Sequence, residues 1–333
     1  MDGDALTHRS DPQLATHALA EAASAAGYAP SIHNTQPWRW RLTADTLDLH
    51  LVPSRILQAS DPDGRLATLS CGVALHHARV AVAAQGWHVA VTRMPRAAGP
   101  DLLARLHIEG RAPVDPPSVL HLRTIPLRYT DRRPVTGDPV DPAGLAAITA
   151  AVEAQDTRLH TLRPDQVLEL AAAADHAQRS EAADPAWQAE LAYWTGPARP
   201  AGTGIPDAAI PDRPTQTTVP GRDFGHHGDL PVSAEHDKAA VFVMLYGNTD
   251  EPLAWLLAGE ALSAGWLTAT ENGISVLPHS APIEVIATRQ AMRAMIASTG
   301  YPYLVLRLGS IDPADTGAPH TSRLPADQII DHA

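Results

Sequence analysis

The 333-residue chain contains a single cysteine, Cys71, and a single lysine, Lys238, among its 25 basic residues. One cysteine excludes an intramolecular disulfide and a metal site built of cysteines alone, and it makes the cytoplasm the expected location. Because Cys71 stands at the edge of an apolar helical stretch, we expect it to pack rather than to react. The scarcity of lysine, in a chain so rich in alanine, is typical of coding bias.

Long apolar runs are also missing. The longest, residues 238–246, has the length of a strand and is far short of the roughly 20 residues that span a membrane. Residues 1–6 are acidic and lack the pattern of a signal peptide. With 37 acidic residues and a formal charge of −12, the chain is not expected to bind nucleic acid or a membrane, and an anionic small molecule would need a local basic pocket.

Several motifs that carry chemistry are absent. The sequence contains no G-x-G-x-x-G after a strand, no G-x-x-x-x-G-K-[ST], no H-E-x-x-H and no G-x-S-x-G. It therefore gives no support to a Rossmann site, a P-loop, a zinc protease helix or a hydrolase nucleophile. The histidine pairs 76–77 and 226–227 are adjacent, so their side chains diverge and no metal site is expected.

An internal repeat is the most informative feature that is present. Residues 69–75 (LSCGVAL) align with residues 256–262 (LLAGEAL) at an offset of 187. The same offset relates three further identities, Gly86 to Gly273, Val89 to Val276 and Pro95 to Pro282. Two alanine-rich helices can agree by chance, but here the spacing from glycine to proline is kept without a gap. Each copy predicts a helix, 72–85 and 259–272, that ends at a glycine.

The elements around each copy correspond as well. A helix (13–26; 142–154) and a strand (47–51; 241–246) precede the repeat, and a final strand (103–108; 303–308) follows it. This pattern predicts an α+β fold with mixed or antiparallel sheets flanked by helices. We interpret the chain as two halves of one duplicated architecture, residues 1–122 and 123–333.

A Pro/Gly-rich segment at about residues 195–229 interrupts the second half. Its prolines and glycines preclude regular structure, and so long an irregular stretch is unusual inside a compact domain. It is typical of a lid or of a linker, and we favour a lid. The preceding residues 184–194 predict a capped helix whose three aromatic residues would pin the segment to the body.

Two polar segments are candidates for ligand binding. Residues 29–38 (APSIHNTQPW) form a loop whose carboxamides suit the edge of a polar heterocycle, although a plain helix stop explains it equally well; Trp38 is expected in the core. Residues 128–133 (RYTDRR), if extended, place Arg128, Thr130 and Arg132 on one side, where they can clamp a phosphate. The alternative is a solvated cluster paired with aspartates 131 and 138. The loops 273–280 and 319–325 are weak signals alone.

Together these segments resemble the nitroreductase family of flavoproteins, and specifically its internally duplicated branch typified by the Acg proteins. Residues 30–38 are similar to the family string P-S-x-x-N-x-Q-P-W, and residues 128–132 resemble its R-x-[ST]-x-R phosphate segment. The resemblance covers residues 11–330. It implies the nitroreductase fold, with two fused halves that form a pseudo-dimer within one chain.

The resemblance also implies one FMN per chain, in a site that draws on both halves. The side chains and loop positions assigned to it are Ser31, His33, Asn34, Gln36, Arg128, Thr130, Arg132, Leu277, Pro278, His279, Ser280 and Arg323. The complementary site should be missing, because residues 7–11 (THRSD) and 154–158 (AQDTR) lack the corresponding motifs. A monomer or a weak homo-oligomer is expected, since a built-in pseudo-dimer needs no second chain.

The implied activity is that of an NAD(P)H-dependent oxidoreductase that transfers hydride through FMN to a flat acceptor such as a nitroaromatic or a quinone. The alternative is a flavin-storage protein in which residues 195–229 cover the ring. No catalytic residue is assigned, because the flavin carries the chemistry. His33 and His279 could supply protons at neutral pH, and Phe224 is a candidate to insert near the flavin.

Overall fold

The computed structural model describes residues 12–95, 99–135, 137–233, 236–237, 239–310, 317 and 319–332. The helices in this part of the chain are α1 Pro12–Ala26, α2 Arg65–Ala84, α3 Pro116–Thr124, α4 Pro142–Glu153, α5 Pro164–Ala183, α6 Pro185–Thr195, α7 Pro252–Glu271, α8 Ala281–Glu284 and α9 Ile286–Met295. The strands are β1 Trp38–Leu42, β2 Thr46–Leu51, β3 Trp87–Arg93, β4 Leu102–Arg111, β5 Arg158–Thr161, β6 Val241–Gly247, β7 Ile274–His279, β8 Tyr301–Ser310 and β9 Ile330–His332.

The two sheets have the same strand order. The first runs β3-β4-β2-β1-β9 and the second runs β7-β8-β6-β5, so they differ only by β9. Among the described strands, every pair is antiparallel except β1 with β9. The predicted α+β fold is confirmed, and the sequence repeat corresponds to a repeat of topology. Because β9 comes from the end of the chain and completes the first sheet, the division at residue 122 stays a prediction.

The repeat helices α2 and α7 cross at the centre of the molecule. Both are 20 residues long, and α7 begins 187 positions after α2. The predicted starts at Gly72 and Gly259 are wrong, since both glycines lie inside the helices, where each meets the backbone of the other helix. The true start of α2 is set by Asp61, whose carboxylate accepts hydrogen bonds from the amides of residues 66 and 67.

Helix α2 is also the one described helix that is long and apolar enough to cross a membrane, and 89% of its apolar window is buried inside the protein. It packs against α1, α3 and α7. Its apolar character is therefore accounted for by the core, which spans both halves of the chain and includes the buried Trp38, Trp40 and Trp266. The core position predicted for Trp38 is confirmed.

Cys71 lies in the same core. Its Sγ atom is 3.3 Å from the carbonyl oxygen of Pro37, and burial raises the pKa of the thiol. A thiol that stays protonated is a poor nucleophile, so the expectation that Cys71 packs rather than reacts is confirmed.

Candidate functional site

A cavity of about 620 Å³ lies between the loop after α1, the end of β7 and the Pro/Gly-rich segment, which is the size of a typical small-molecule site. Several of the residues singled out in the sequence line it, namely Ser31, His33, Thr130, Arg132, Leu277, Pro278, His279 and Ser280. The topology therefore brings together three segments that are more than 90 residues apart in the sequence.

A smaller cavity of about 60 Å³ adjoins the first and shares Ser31, His33, Thr130 and Arg132 with it. Asn34, Arg128 and Arg323 line only this smaller cavity. Gln36 lines neither cavity. The candidate residues thus divide between a large chamber and a small annex, and the three candidate arginines all line the annex.

The loop at residues 31–36 has an unusual backbone. His33, Asn34 and Gln36 have φ angles of 44°, 55° and 49°, in the left-handed region that residues other than glycine seldom adopt. The hydroxyl oxygen of Ser31 accepts a hydrogen bond of 2.9 Å from the Gln36 amide, which closes the loop. Such strain persists only where the surroundings over-determine it, and it clusters at ligand sites.

Two carboxamides hold this loop in place. The Asn34 Nδ2 atom donates to the carbonyl oxygens of Gly204 (3.1 Å) and Ser322 (3.0 Å). Gln36 donates from Nε2 to the Gly202 carbonyl oxygen at 2.7 Å and accepts at Oε1 from the amide of residue 324 at 2.9 Å. Gln36 therefore binds protein on both sides of its amide, whereas the buried Oδ1 of Asn34 has no partner in the described structure. Their assignment to FMN stays a prediction.

The buried Arg128 and the half-buried Arg323 lie beside each other with incomplete hydrogen bonding. Both donate to the carbonyl oxygen of Tyr28, at 3.4 and 3.3 Å, and the guanidinium of Arg128 stacks on Trp266 at 4.5 Å from the ring centre. The Nε and Nη1 atoms of Arg128 and the Nε atom of Arg323 are buried without a partner. Burial lowers the pKa of both groups, that of Arg323 to about 10, and the mutual repulsion of the two guanidiniums lowers that of Arg128 further.

Arg132 is the third guanidinium of the annex. It donates to the carbonyl oxygen of Ala209 at 3.1 Å, and burial together with the charge of Arg222 lowers its pKa to about 10. Within the described residues, no carboxylate pairs with this arginine, with Arg128 or with Arg323. The positive charge of Arg128 is buried and those of Arg132 and Arg323 are half-buried. Uncompensated positive charge that is shielded from water is costly, so the annex favours an anion.

The backbone at Thr130 and Asp131 is extended, as predicted for residues 128–133. The amide of Asp131 donates to the carbonyl oxygen of Val276 at 3.1 Å, and Thr130 forms a parallel bridge with the same residue. Asp131 pairs with Arg133 at 2.7 Å. The alternative of a solvated cluster is wrong for Arg128 and Arg132, because Asp131 pairs with Arg133 instead, and Arg133 lines neither cavity.

Burial disfavours the charged form of both histidines in this site. Burial and the charges of Arg222 and Arg132 lower the pKa of His33 well below its usual value, and burial, Arg307 and Arg222 lower that of His279 to about 3. These shifts favour neutral rings in the protein without a ligand, and the role of proton donor stays a prediction. The Nε2 atom of His279 is buried without a partner, which leaves it available to a ligand as a hydrogen-bonding group.

The Pro/Gly-rich segment 195–229, called the lid segment below, forms one wall of the large cavity. Phe224 lines the cavity and packs with Leu191, Ile205 and Ile210. The preceding helix α6 is confirmed, with Asp184 as its cap. The Gln178 side chain on α5 donates to the Gly221 carbonyl oxygen at 2.5 Å and so fixes the lid segment to the body. Sequence reasoning missed this contact, because the amphipathic pattern of α5 does not distinguish Gln178 from its neighbours.

The positions related to this site by the internal repeat hold a cluster of ion pairs. Trp266 and Ser280 line the large cavity, and their counterparts at an offset of 187 are Arg79 and Arg93. Both arginines bond the fully buried carboxylate of Glu260, at 2.6 Å each, and Arg79 also bonds Gln155. Residues 7–11, whose sequence argues for a missing second site, lie outside the described residues.

Comparison with known proteins agrees with the motifs. The chain is 37% identical over 307 residues to "Putative NAD(P)H nitroreductase Rv3131" of Mycobacterium tuberculosis, covering 91% of this chain and 88% of that protein. It is 33% identical over 324 residues to "Putative NAD(P)H nitroreductase acg" of the same organism, covering 96% and 97%. The chain belongs to the nitroreductase family. The resemblance inferred from residues 30–38 and 128–132 is thereby confirmed.

No family model matches the chain. Among solved structures, the FMN- and NADPH-dependent nitroreductase NfnB of sphigopyxis sp. strain HMH aligns with a TM-score of 0.40 and 18% identity, over 63% of this chain and 97% of that one. The site described above stands on the geometry of this nitroreductase-family chain itself.

Proposed function

We propose that the protein binds one FMN per chain and acts as an NAD(P)H-dependent oxidoreductase on a flat small-molecule acceptor such as a nitroaromatic or a quinone. The observation that carries the proposal is the annex in which Arg128, Arg132 and Arg323 meet without a carboxylate partner in the described structure. A phosphate satisfies charge and unused N–H groups together, because guanidinium–phosphate bonds are charge-assisted. The names of the relatives support the same activity.

The larger cavity fits the ring system of the same cofactor. It shares Ser31 and Thr130 with the annex, and it offers hydrogen-bonding groups at His33 and His279 beside apolar surface from Leu277 and Trp266. Bound FMN would supply hydride transfer between a nicotinamide donor and the acceptor. The chain's residues hold the phosphate at one end, orient the ring edge, and exclude water with the lid segment.

The second candidate is flavin storage. It is favoured by the lid segment, which is bonded to the body near both ends, at Gly202 and Gly221, and which lines the cavity with Phe224. We place reduction first, because the relatives that match nearly the whole chain carry the name of NAD(P)H nitroreductases. The expected cytoplasmic location and the absence of a required partner chain belong to the same proposal.

An absorbance titration separates the candidates. Purified protein is loaded with FMN and treated anaerobically with NADPH, then NADH, then dithionite. Bleaching by a nicotinamide at one flavin per chain supports the reductase. Bleaching by dithionite alone supports storage, and failure to take up FMN contradicts the site itself.

A further inference from the structure

Arg222 joins the lid segment to the body of the protein through two buried carboxylates. Its Nη1 atom bonds Glu181 on α5 at 3.0 Å, and its Nη2 atom bonds Glu284 on α8. The same Nη2 atom lies 3.4 Å from the hydroxyl oxygen of Ser280, which lines the cavity. Arg222 lines the cavity too, so the connection lies directly against the space assigned to the cofactor.

The cluster has one positive charge for two carboxylates. The side chains of Glu181 and Glu284 are 6% and 0% exposed, and each keeps one buried oxygen, Oε1 and Oε2 respectively, without a partner in the described structure. If both carboxylates are ionised, a net negative charge and two bare oxygens are buried, which is costly. One proton removes the excess charge, and burial accordingly raises the pKa of Glu181 to about 7, against the opposing pull of Arg222.

We propose that Glu181, Arg222 and Glu284 form a latch that takes up a proton when the lid segment closes and releases it when the segment opens. This inference rests on the proposed function only in naming the cofactor that the lid segment covers. Closure removes Glu181 from water, whereas opening returns it to solvent, where it ionises more readily. The closed state is therefore stabilised in acid, and the stabilisation is lost as the pH rises toward 7.

Other titratable or charged groups lie around the latch on each neighbouring element. They are Glu190 on α6, Arg289 on α9, Asp61, Asp63 and Arg65 at the start of α2, Asp184 between α5 and α6, Arg213, Asp223, His226 and His227 in the lid segment, and His33, Arg132, His279 and Arg307 across the cavity. Among them Asp61 also has a pKa raised by burial to about 7. The charge of Glu284 also acts on Asp61, so Asp61 is not independent of the latch; the matched control is Asp48, a buried carboxylate of the first sheet that pairs with Arg105.

Amide hydrogen exchange of the lid segment tests the latch on the full chain without added FMN. Exchange is measured at pH 6 and pH 8 and corrected for the intrinsic rate at each pH. For a carboxyl that returns to an ordinary pKa on opening, protection of residues 205–229 is expected to fall about tenfold between these two values. Since this readout needs no cofactor, failure of the latch and failure of FMN binding are observed separately.

The variants make the result specific. Glu181→Gln, neutral at every pH, is expected to keep at pH 8 the protection that the wild type has at pH 6. Arg222→Gln is expected to be poorly protected at both values, and Asp48→Asn to behave as the wild type. If Glu181→Gln retains the wild-type pH dependence, or if Asp48→Asn abolishes it, the latch is contradicted. If Glu181→Gln does not fold, Glu284→Gln is tested instead. Removing the Glu284 charge, which repels the Glu181 carboxylate, is expected to shift the loss of protection to lower pH. A loss of protection at the wild-type pH overturns the proposal.

Discussion

Gly72 and Gly259, which occupy the same position in the two halves, touch each other where α2 crosses α7. A Cβ atom on Gly72 would lie 2.0 Å from the Leu256 carbonyl oxygen and 2.9 Å from the Cα atom of Gly259. A Cβ atom on Gly259 would lie 1.9 Å from the Leu69 carbonyl oxygen. Neither helix can accept a methyl group there without moving backbone, so the contact between the halves depends on these two glycines.

Gly72→Ala and Gly259→Ala are each expected to lower the free energy of unfolding by about 3 kcal/mol, because the clash outweighs the better helix propensity of alanine. Urea denaturation followed by circular dichroism measures the change. The matched control is Gly144→Ala in α4, where the nearest atom is the movable end of the Ile274 side chain. A Gly72→Ala variant as stable as the wild type would disprove the close contact.

Much of the fold was predictable from the sequence, because glycine and proline mark the ends of elements locally and the repeat is visible by direct alignment of two stretches of sequence. The end of each repeat helix and the strands that follow were visible in this way. The starts of α2 and α7 were not predictable. A glycine inside a helix resembles a helix boundary in the sequence, unless the helix that packs against it is known. The same limit applies to the site. The string at residues 30–38 identified Asn34 and Gln36, but their partners Gly204 and Leu324 lie 170 and 288 residues away.

Arg128→Gln is expected to separate ligand binding from stability. Loss of a charge-assisted partner should weaken FMN binding by roughly 2–3 kcal/mol. The protein without FMN should be as stable as the wild type or more so, because an uncompensated buried charge is removed. Flavin fluorescence titration and urea denaturation measure the two effects.

Arg132→Ala should weaken FMN binding by a similar amount, and Arg133→Gln serves as the control for both variants, since Arg133 pairs with Asp131. Wild-type flavin affinity in both Arg128→Gln and Arg132→Ala would remove the annex from consideration as the phosphate site.

Glu260 is expected to be essential for stability at the place where a second cofactor would otherwise bind. Its buried carboxylate neutralises Arg79 and Arg93, so Glu260→Gln should cost about 3–5 kcal/mol by leaving buried charge unpaired. FMN titration of the wild type should saturate at one equivalent per chain. Glu109→Gln, which removes an exposed carboxylate, is the control in denaturation experiments. Saturation at two equivalents would show that the repeat-related place is open.

Acid should destabilise the protein through its buried histidines. Burial lowers the pKa of His33, His76, His77 and His279, those of His76 and His279 to about 3. These rings bind protons in the unfolded state below pH 6.5 but not in the folded state, so the stability they contribute is present above pH 6.5 and is lost as the pH falls. Each can contribute up to about 1.4 kcal/mol per pH unit, while the raised pKa values of Asp61 and Glu181 act in the opposite sense.

Urea denaturation at pH 4.5, 5.5 and 6.5 measures this dependence. His279→Gln should flatten it, whereas substitution of the exposed His17 by glutamine should leave it unchanged. A slope that is the same in His279→Gln as in the wild type would mean that His279 is protonated in the folded protein.

Phe224→Ala tests whether the lid segment controls access to the cavity. Phe224 is 7% exposed, lines the cavity, and has the guanidinium of Arg132 at 5.4 Å from its ring centre. Truncating a buried phenylalanine commonly lowers stability by about 3–5 kcal/mol. A loss of this size can open one segment locally while the rest of the chain stays folded. In FMN-loaded protein, reduction by dithionite and by NADPH should therefore become faster in stopped-flow absorbance.

Val232→Ala removes buried apolar surface outside the cavity and should leave both rates at the wild-type value. Equal rates in Phe224→Ala and the wild type would mean that reductants reach the cavity by a route that the lid segment does not guard.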